Sequence, residues 1–146
     1  MRYLHTMIRV TDLEANLDFF INKLGLAEAY RIEHEARRFT LVFLSTRDEL
    51  ETAQQNRAPL IELTYNWDRQ EYSEGRNFGH VAYQVDNVYE TCQRLADCGV
   101  TINRPPRDGR IAYVRSPENI SIEFIQKGDP LPAAEPWASL PDIGTW

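Results

Sequence analysis

Positive charge is in short supply in this chain of 146 residues, where 16 Lys and Arg face 22 Asp and Glu for a net charge of −6 at neutral pH. No Lys/Arg block is long enough to offset that sum locally, which argues against nucleic acid or an anionic membrane surface as a partner. Long apolar runs are missing too. The longest worth noting, Leu41-Val42-Phe43-Leu44, falls far short of the ~20 residues a membrane-spanning helix needs. The N-terminus lacks the apolar core of a secretion signal, so the chain is expected in the cytoplasm. Cysteine is scarce. Cys92 and Cys98 lie six apart in a segment that reads as helix, where neither a disulfide nor a zinc hook is expected, and both read as small core thiols.

What is present is the composition of a folded globule, with 42% hydrophobic and 11% aromatic residues, in one domain or two small modules folded together. Residues 3–10 alternate as a strand, with Tyr3, His5, Met7 and Arg9 on one face and Leu4, Ile8 and Val10 on the other. Thr11-Asp12 then supplies a helix N-cap. Leu13, Leu17, Phe20, Ile21 and Leu24 follow at helical spacing until Gly25 ends the element. Residues 38–44 and 59–66 read as further strands, and the charged stretch 46–58 between them reads as either a loop or a short solvated helix.

A second strand led by a histidine starts at His80 and can be laid against the first. From His5, apolar residues at offsets of 5, 8, 12 and 15 are Val10, Leu13, Leu17 and Phe20; from His80 the same offsets give Val85, Val88, Cys92 and Leu95. Gly25 and Gly99 close the two helices at nearly equal distances, and each half ends in an apolar strand carrying a carboxylate, Glu62 or Glu123. The chain therefore reads as a duplicated module. Residues 129–146 hold four of the eight prolines together with Trp137 and Trp146; they read as an extended tail whose tryptophans dock on the body or on a second subunit.

Each module offers one His and one Glu. Imidazole and carboxylate together suit a borderline divalent cation such as Zn²⁺, Ni²⁺, Mn²⁺ or Fe²⁺, and four such ligands leave two octahedral positions for water or substrate. A lone carboxylate on an apolar strand costs several kcal/mol unless it is paired or bound to metal. His34 has no counterpart in the repeat and reads as a surface residue.

These residues are also those of a known family. The segments Arg2-Tyr3-Leu4-His5-Thr6-Met7-Ile8-Arg9-Val10, Ile61-Glu62-Leu63-Thr64-Tyr65-Asn66-Trp67, Phe78-Gly79-His80-Val81-Ala82 and Ile122-Glu123-Phe124 resemble the vicinal-oxygen-chelate superfamily, and within it bacterial glyoxalase I. The resemblance covers about residues 1–127. It implies an α+β fold of tandem βαβββ modules, about 1–68 and 78–127, followed by a Pro/Trp-rich tail over 128–146. It also implies a homodimer with shared sites, His5 and Glu62 coming from one chain and His80 and Glu123 from the other. The implied metal is Ni²⁺ or Zn²⁺, with Co²⁺ also compatible. The implied reaction isomerises the hemithioacetal of methylglyoxal and glutathione to S-D-lactoylglutathione through an enediolate, with Glu123 as the base and Glu62 as the second catalytic carboxylate.

By the same resemblance Arg9 and Asn66 hold the γ-glutamyl end of glutathione and Arg76 its glycyl carboxylate, a task for which the planar arginine fork is suited. The chain departs from the family in the loop Arg104-Pro105-Pro106-Arg107-Asp108-Gly109-Arg110, where Arg107 or Arg110 would have to replace a missing anion contact. It departs again at the turn Ser116-Pro117-Glu118-Asn119, where Asn119 must take the left-handed conformation that glycine usually supplies. Segment 46–58 is longer than in compact members, with scope to reshape the pocket mouth. Other readings are a ring-cleaving dioxygenase, which the second carboxylate opposes, a thiol transferase, or a metal-free binder of small molecules.

Overall fold

In the computed structural model, which describes residues 4–68, 71–72 and 78–146, the first helix starts where the sequence places it. Asp12 caps α1 (Leu13–Leu17), its carboxylate accepting the Ala15 N–H at 2.9 Å, an N-cap worth about 1 kcal/mol. The helix then widens into a π-wound stretch over Asp18–Lys23, closed by Leu24 N–H donating to the Phe19 carbonyl. The extra residue in that turn shifts the buried face by one position. Phe19 and Phe20 are buried, edge to face at 5.1 Å, and Ile21 is only half-buried. Gly25, at φ +95°, ends the segment.

The chain divides into two compact units, Met1–Glu74 and Gly75–Trp146. The first holds β1 (His5–Val10), β2 (Ala27–His34), β3 (Phe39–Ser45), α2 (Leu50–Asn56) and β4 (Leu60–Asn66) besides α1. Its sheet runs β1-β4-β3-β2, with β1 parallel to β4 and the other neighbours antiparallel. The second unit holds β5 (His80–Val85), α3 (Val88–Asp97), β6 (Ile102–Arg104), β7 (Ile111–Arg115) and β8 (Ser121–Gln126). Its sheet has the same plan, β5-β8-β7-β6, again with the first and last strands parallel. This is the α+β fold of tandem βαβββ modules that the family resemblance implies, and its two like-ordered sheets match the duplicated module of the repeat.

In each unit one sheet face is the core. Ile8, Val10, Val42, Leu44 and Leu63 are buried in the first, and Ala112, Val114, Ile122 and Phe124 in the second. In α3, Val88, Cys92 and Leu95 recur on one face and are fully buried; burial contributes about 1.5–3 kcal/mol for each of the two aliphatic side chains. The same burial pushes the Cys92 thiol up to about 12. Cys98, by contrast, is exposed just past the end of α3, so only one of the two cysteines is a core thiol.

Segment 46–58 resolves into α2. Its fully buried Ala53 packs with Phe43 and Leu60, and its C-terminal Arg57 guanidinium lies 3.9 Å from the Tyr30 ring centroid. The strand β2 was not foreseen, because its charged residues mask the alternation of an edge strand. His34 at its end is half-buried rather than a plain surface residue; its Nδ1 accepts the Arg37 N–H at 3.3 Å. Asn119 adopts φ +60°, as the turn requires.

The tail forms neither helix nor strand and is bound along the second unit. Leu131 N–H donates to the Gly109 carbonyl at 3.0 Å, and a Cβ at Gly109 would stand 1.9 Å from the Leu131 oxygen, so only glycine fits there. Trp137 is buried, Arg107 pairs with Asp142 at 2.7 Å, and Ile143 exchanges two hydrogen bonds with Asn103. No helix among the described residues is long and apolar enough to cross a membrane.

Candidate functional site

In each unit the sheet face opposite the buried row, Ile8, Val10 and Leu63 in the first and Ala112, Ile122 and Phe124 in the second, carries the candidate residues. Along β1, His5, Met7 and Arg9 are exposed on that face, and along β4, Glu62, Thr64 and Asn66 share it because β1 and β4 run parallel with Met7 opposite Glu62 and Arg9 opposite Thr64. His5 pairs with Leu60, so Glu62 lies two residues beyond the histidine's register partner. In the second unit His80 pairs with Ser121, and Glu123 again lies two residues beyond. The duplication therefore extends to the placement of the His/Glu pair.

That register brings the side chains together in both units. His5 Nε2 stands 3.0 Å from Glu62 Oε2, and His80 Nε2 stands 3.1 Å from Glu123 Oε2. The carboxylate side chains are 12% and 10% exposed and the imidazoles 37% and 41%, so each pair presents a sunken acid behind an open histidine. Among the described residues no group of three or more His, Cys, Asp or Glu side chains gathers to hold a metal ion; each unit assembles two. The spacing suits a shared cation. Ligand bonds of about 2.0–2.2 Å at a right angle place two donor atoms about 3 Å apart, the separation seen in both pairs.

The remaining carboxylate oxygens are held by residues that the sequence reading did not single out. Thr64 Oγ1 donates to Glu62 Oε1 at 3.0 Å, and the Tyr113 hydroxyl donates to Glu123 Oε1 at 2.5 Å. Burial and then Glu123 push the Tyr113 hydroxyl up to about 12, so it acts as a donor and not as a second anion. Thr64 was visible as the same-face residue two beyond Glu62. Tyr113 was not, since it belongs to a neighbouring strand whose register no spacing rule gives.

Of the expected substrate contacts, Arg9 is exposed on the same face as His5. Asn66 is at the end of that face, its Nδ2 donating to the Tyr72 hydroxyl at 2.8 Å. Arg76 lies outside the described residues. In the 104–110 loop, Arg107 is occupied by Asp142 and the Leu140 carbonyl and so binds the tail instead of replacing the missing anion contact. Arg104 is likewise engaged, by Asp108 at 2.8 Å and by the Ile111 carbonyl, while Arg110 is exposed.

Residues 2–124 match the family model described as the Glyoxalase/Bleomycin resistance protein/Dioxygenase superfamily. The chain is 42% identical over 132 residues to a lactoylglutathione lyase of Neisseria meningitidis serogroup A, covering 87% of this chain and 91% of the relative. It is 37% identical over 134 residues to the lactoylglutathione lyase of Salmonella typhimurium, covering 88% and 95%. Among solved structures, the trypanothione-dependent glyoxalase I of Leishmania major superposes with a TM-score of 0.76 at 31% identity over 86% of each chain.

Proposed function

The chain belongs to the glyoxalase/bleomycin resistance protein/dioxygenase superfamily, in its lactoylglutathione lyase branch, and on that premise we propose how its residues divide the work. His5, Glu62, His80 and Glu123 hold one divalent ion per site, Ni²⁺ or Zn²⁺, with Co²⁺ a competent substitute. Each site combines the first pair of one protomer with the second pair of its partner in a homodimer. The ion, when bound, supplies a positive charge that acidifies the C–H beside the hemithioacetal oxygens. Glu123 removes that proton from the carbon bearing sulfur and returns it to the neighbouring carbon, an isomerisation that leaves the overall oxidation state unchanged. Glu62 is the second carboxylate, assisting the transfer. Arg9 and Asn66 orient the γ-glutamyl end of the glutathione moiety, and Arg76 its glycyl carboxylate. The enzyme works in the cytoplasm, where Cys92 and Cys98 stay reduced.

The observation that carries this reading is the repeated register, which sets a histidine and a glutamate with a largely covered side chain ~3 Å apart twice in one chain. A metal series tests it. Protein stripped of metal and reloaded with Ni²⁺, Zn²⁺ or Co²⁺ is expected to form thioester from methylglyoxal and glutathione, followed by its ultraviolet absorbance, with at least one ion restoring turnover. Turnover that is the same with and without metal would remove the ligand assignment.

A further inference from the structure

The two modules back their carboxylates with equivalent positions that differ by one oxygen atom. Strand register sets Phe43 opposite Glu62 and Tyr113 opposite Glu123. Each ring meets its histidine edge-on, Phe43 to His5 at 5.8 Å and 74°, Tyr113 to His80 at 5.6 Å and 85°. Only Tyr113 carries a hydroxyl. It spends that hydroxyl on Glu123 Oε1, while Oε2 faces His80.

Tyr113 in turn is touched by the end of the tail. The Trp146 ring centroid lies 6.2 Å from that of Tyr113 with the planes 33° apart, within the range of an attractive aromatic pair. The tail is fastened just before this point: Arg115 Nε donates to the Thr145 carbonyl at 2.7 Å, and Ile143 N–H donates to the Asn103 carbonyl at 2.8 Å. Gly144 between them takes φ +67°, which allows the chain to turn toward Tyr113. Trp146 remains 41% exposed, so its role is not to fill the core.

We propose that Tyr113 is a positioning residue for the Glu123 carboxylate, and that the C-terminal tail, through Trp146, holds the Tyr113 ring in its donating pose. The inference rests on Glu123 being a metal ligand and base, as argued above. A carboxylate with one oxygen fixed presents the other in a single direction; freed of that bond it rotates, and both its affinity for a cation and its aim at a substrate C–H decline. Hydrogen bonds to ligating carboxylates are typically worth about 10–100-fold in metal affinity or activity.

The experiment measures Ni²⁺ affinity by competition with a chromophoric chelator, together with kcat and KM, on the full chain. Tyr113→Phe keeps the ring against both His80 and Trp146, and is expected to weaken Ni²⁺ binding by about tenfold or more and to lower kcat with KM unchanged. Trp146→Ala is expected to weaken Ni²⁺ binding by about threefold, with Trp146→Phe restoring it. In the Tyr113→Phe background, Trp146→Ala should add nothing, because the hydroxyl it serves is gone. Equal melting midpoints across the set identify the loss as local. Parent-like Ni²⁺ affinity in Tyr113→Phe overturns the proposal, as does a Trp146→Ala effect of the same size in both backgrounds. A parent chain that takes up no Ni²⁺, Zn²⁺ or Co²⁺ overturns the metal reading itself and this inference with it, an outcome distinct from the other two.

Discussion

In the first unit Glu62 receives a hydrogen bond from Thr64, two residues along its own strand, whereas in the second unit Glu123 receives one from Tyr113 on the adjacent strand. The strand register of the His/Glu pair is identical in the two. The bracing is not: two residues, Phe43 and Thr64, share it in the first unit, and Tyr113 alone reaches both members in the second. In the first unit a stack runs from Arg57 over Tyr30, stacked at 4.3 Å on Phe43, to the edge of His5, so the insertion that supplies α2 ends by steadying the histidine. In the second unit the tail supplies Trp146, and Tyr113 beside it touches both His80 and Glu123. Duplication preserved the frame and left each copy to recruit support from whatever segment was added to it. The copy whose carboxylate is tied to a second strand is the one assigned the proton transfer.

That contrast can be broken most directly at the carboxylates. Glu123→Gln is expected to lower kcat of the metal-loaded enzyme by about 10³-fold, the scale of a lost general base, while Glu62→Gln costs about tenfold. Equal losses would erase the distinction between the copies. Next in size, Thr64→Val keeps the β-branched shape and removes only the hydroxyl, and is expected to weaken Ni²⁺ binding by about tenfold with a smaller loss of kcat than Tyr113→Phe shows. A larger kcat loss than in Tyr113→Phe would transfer the proton-moving role to the first pair.

The smallest effect concerns acid. Burial would raise Asp108, but its hydrogen bonds from Arg104, Arg110 N–H and Ile111 N–H outweigh that and hold it at about 2 against an ordinary 3.8. A carboxyl depressed in the folded state contributes stability above its unfolded value, and that contribution is lost as pH falls from 3.8 toward about 2. Because Asp108 fixes the loop that receives the tail, and the described residues of the first unit include no such loop, the melting midpoint should fall through this window more steeply in the parent than in Asp108→Asn. Parallel curves would show that the second unit gains no acid-sensitive support there.

Much of this molecule is written in local signals. The Asp12 cap, the glycine stops at 25 and 99, the left-handed Asn119 and the offsets shared by the two histidine-led segments are short-range features, and each stands where the pattern put it. What the pattern could not supply depends on strands meeting strands. Phe43 lies 19 residues before Glu62 and Tyr113 only 10 before Glu123, because α2 is inserted in one copy alone, so no fixed offset aligns the two rings. The role of Arg107 was hidden for a similar reason: its partner Asp142 is in a tail whose composition announces docking but not where it docks.

The parallel register of β1 with β4 and of β5 with β8 has an evolutionary corollary. Side chains alternate between faces with a period of two, so each functional pair depends on parity and not on distance along the chain. Connections such as 46–58 are free to lengthen by any number of residues. A single-residue insertion or deletion between Leu60 and Glu62, or between Ser121 and Glu123, would instead turn the glutamate onto the core face and cost the site and the core together. Variation in this lineage should therefore accumulate in loop lengths while the short intervals within β4 and β8 change only by substitution.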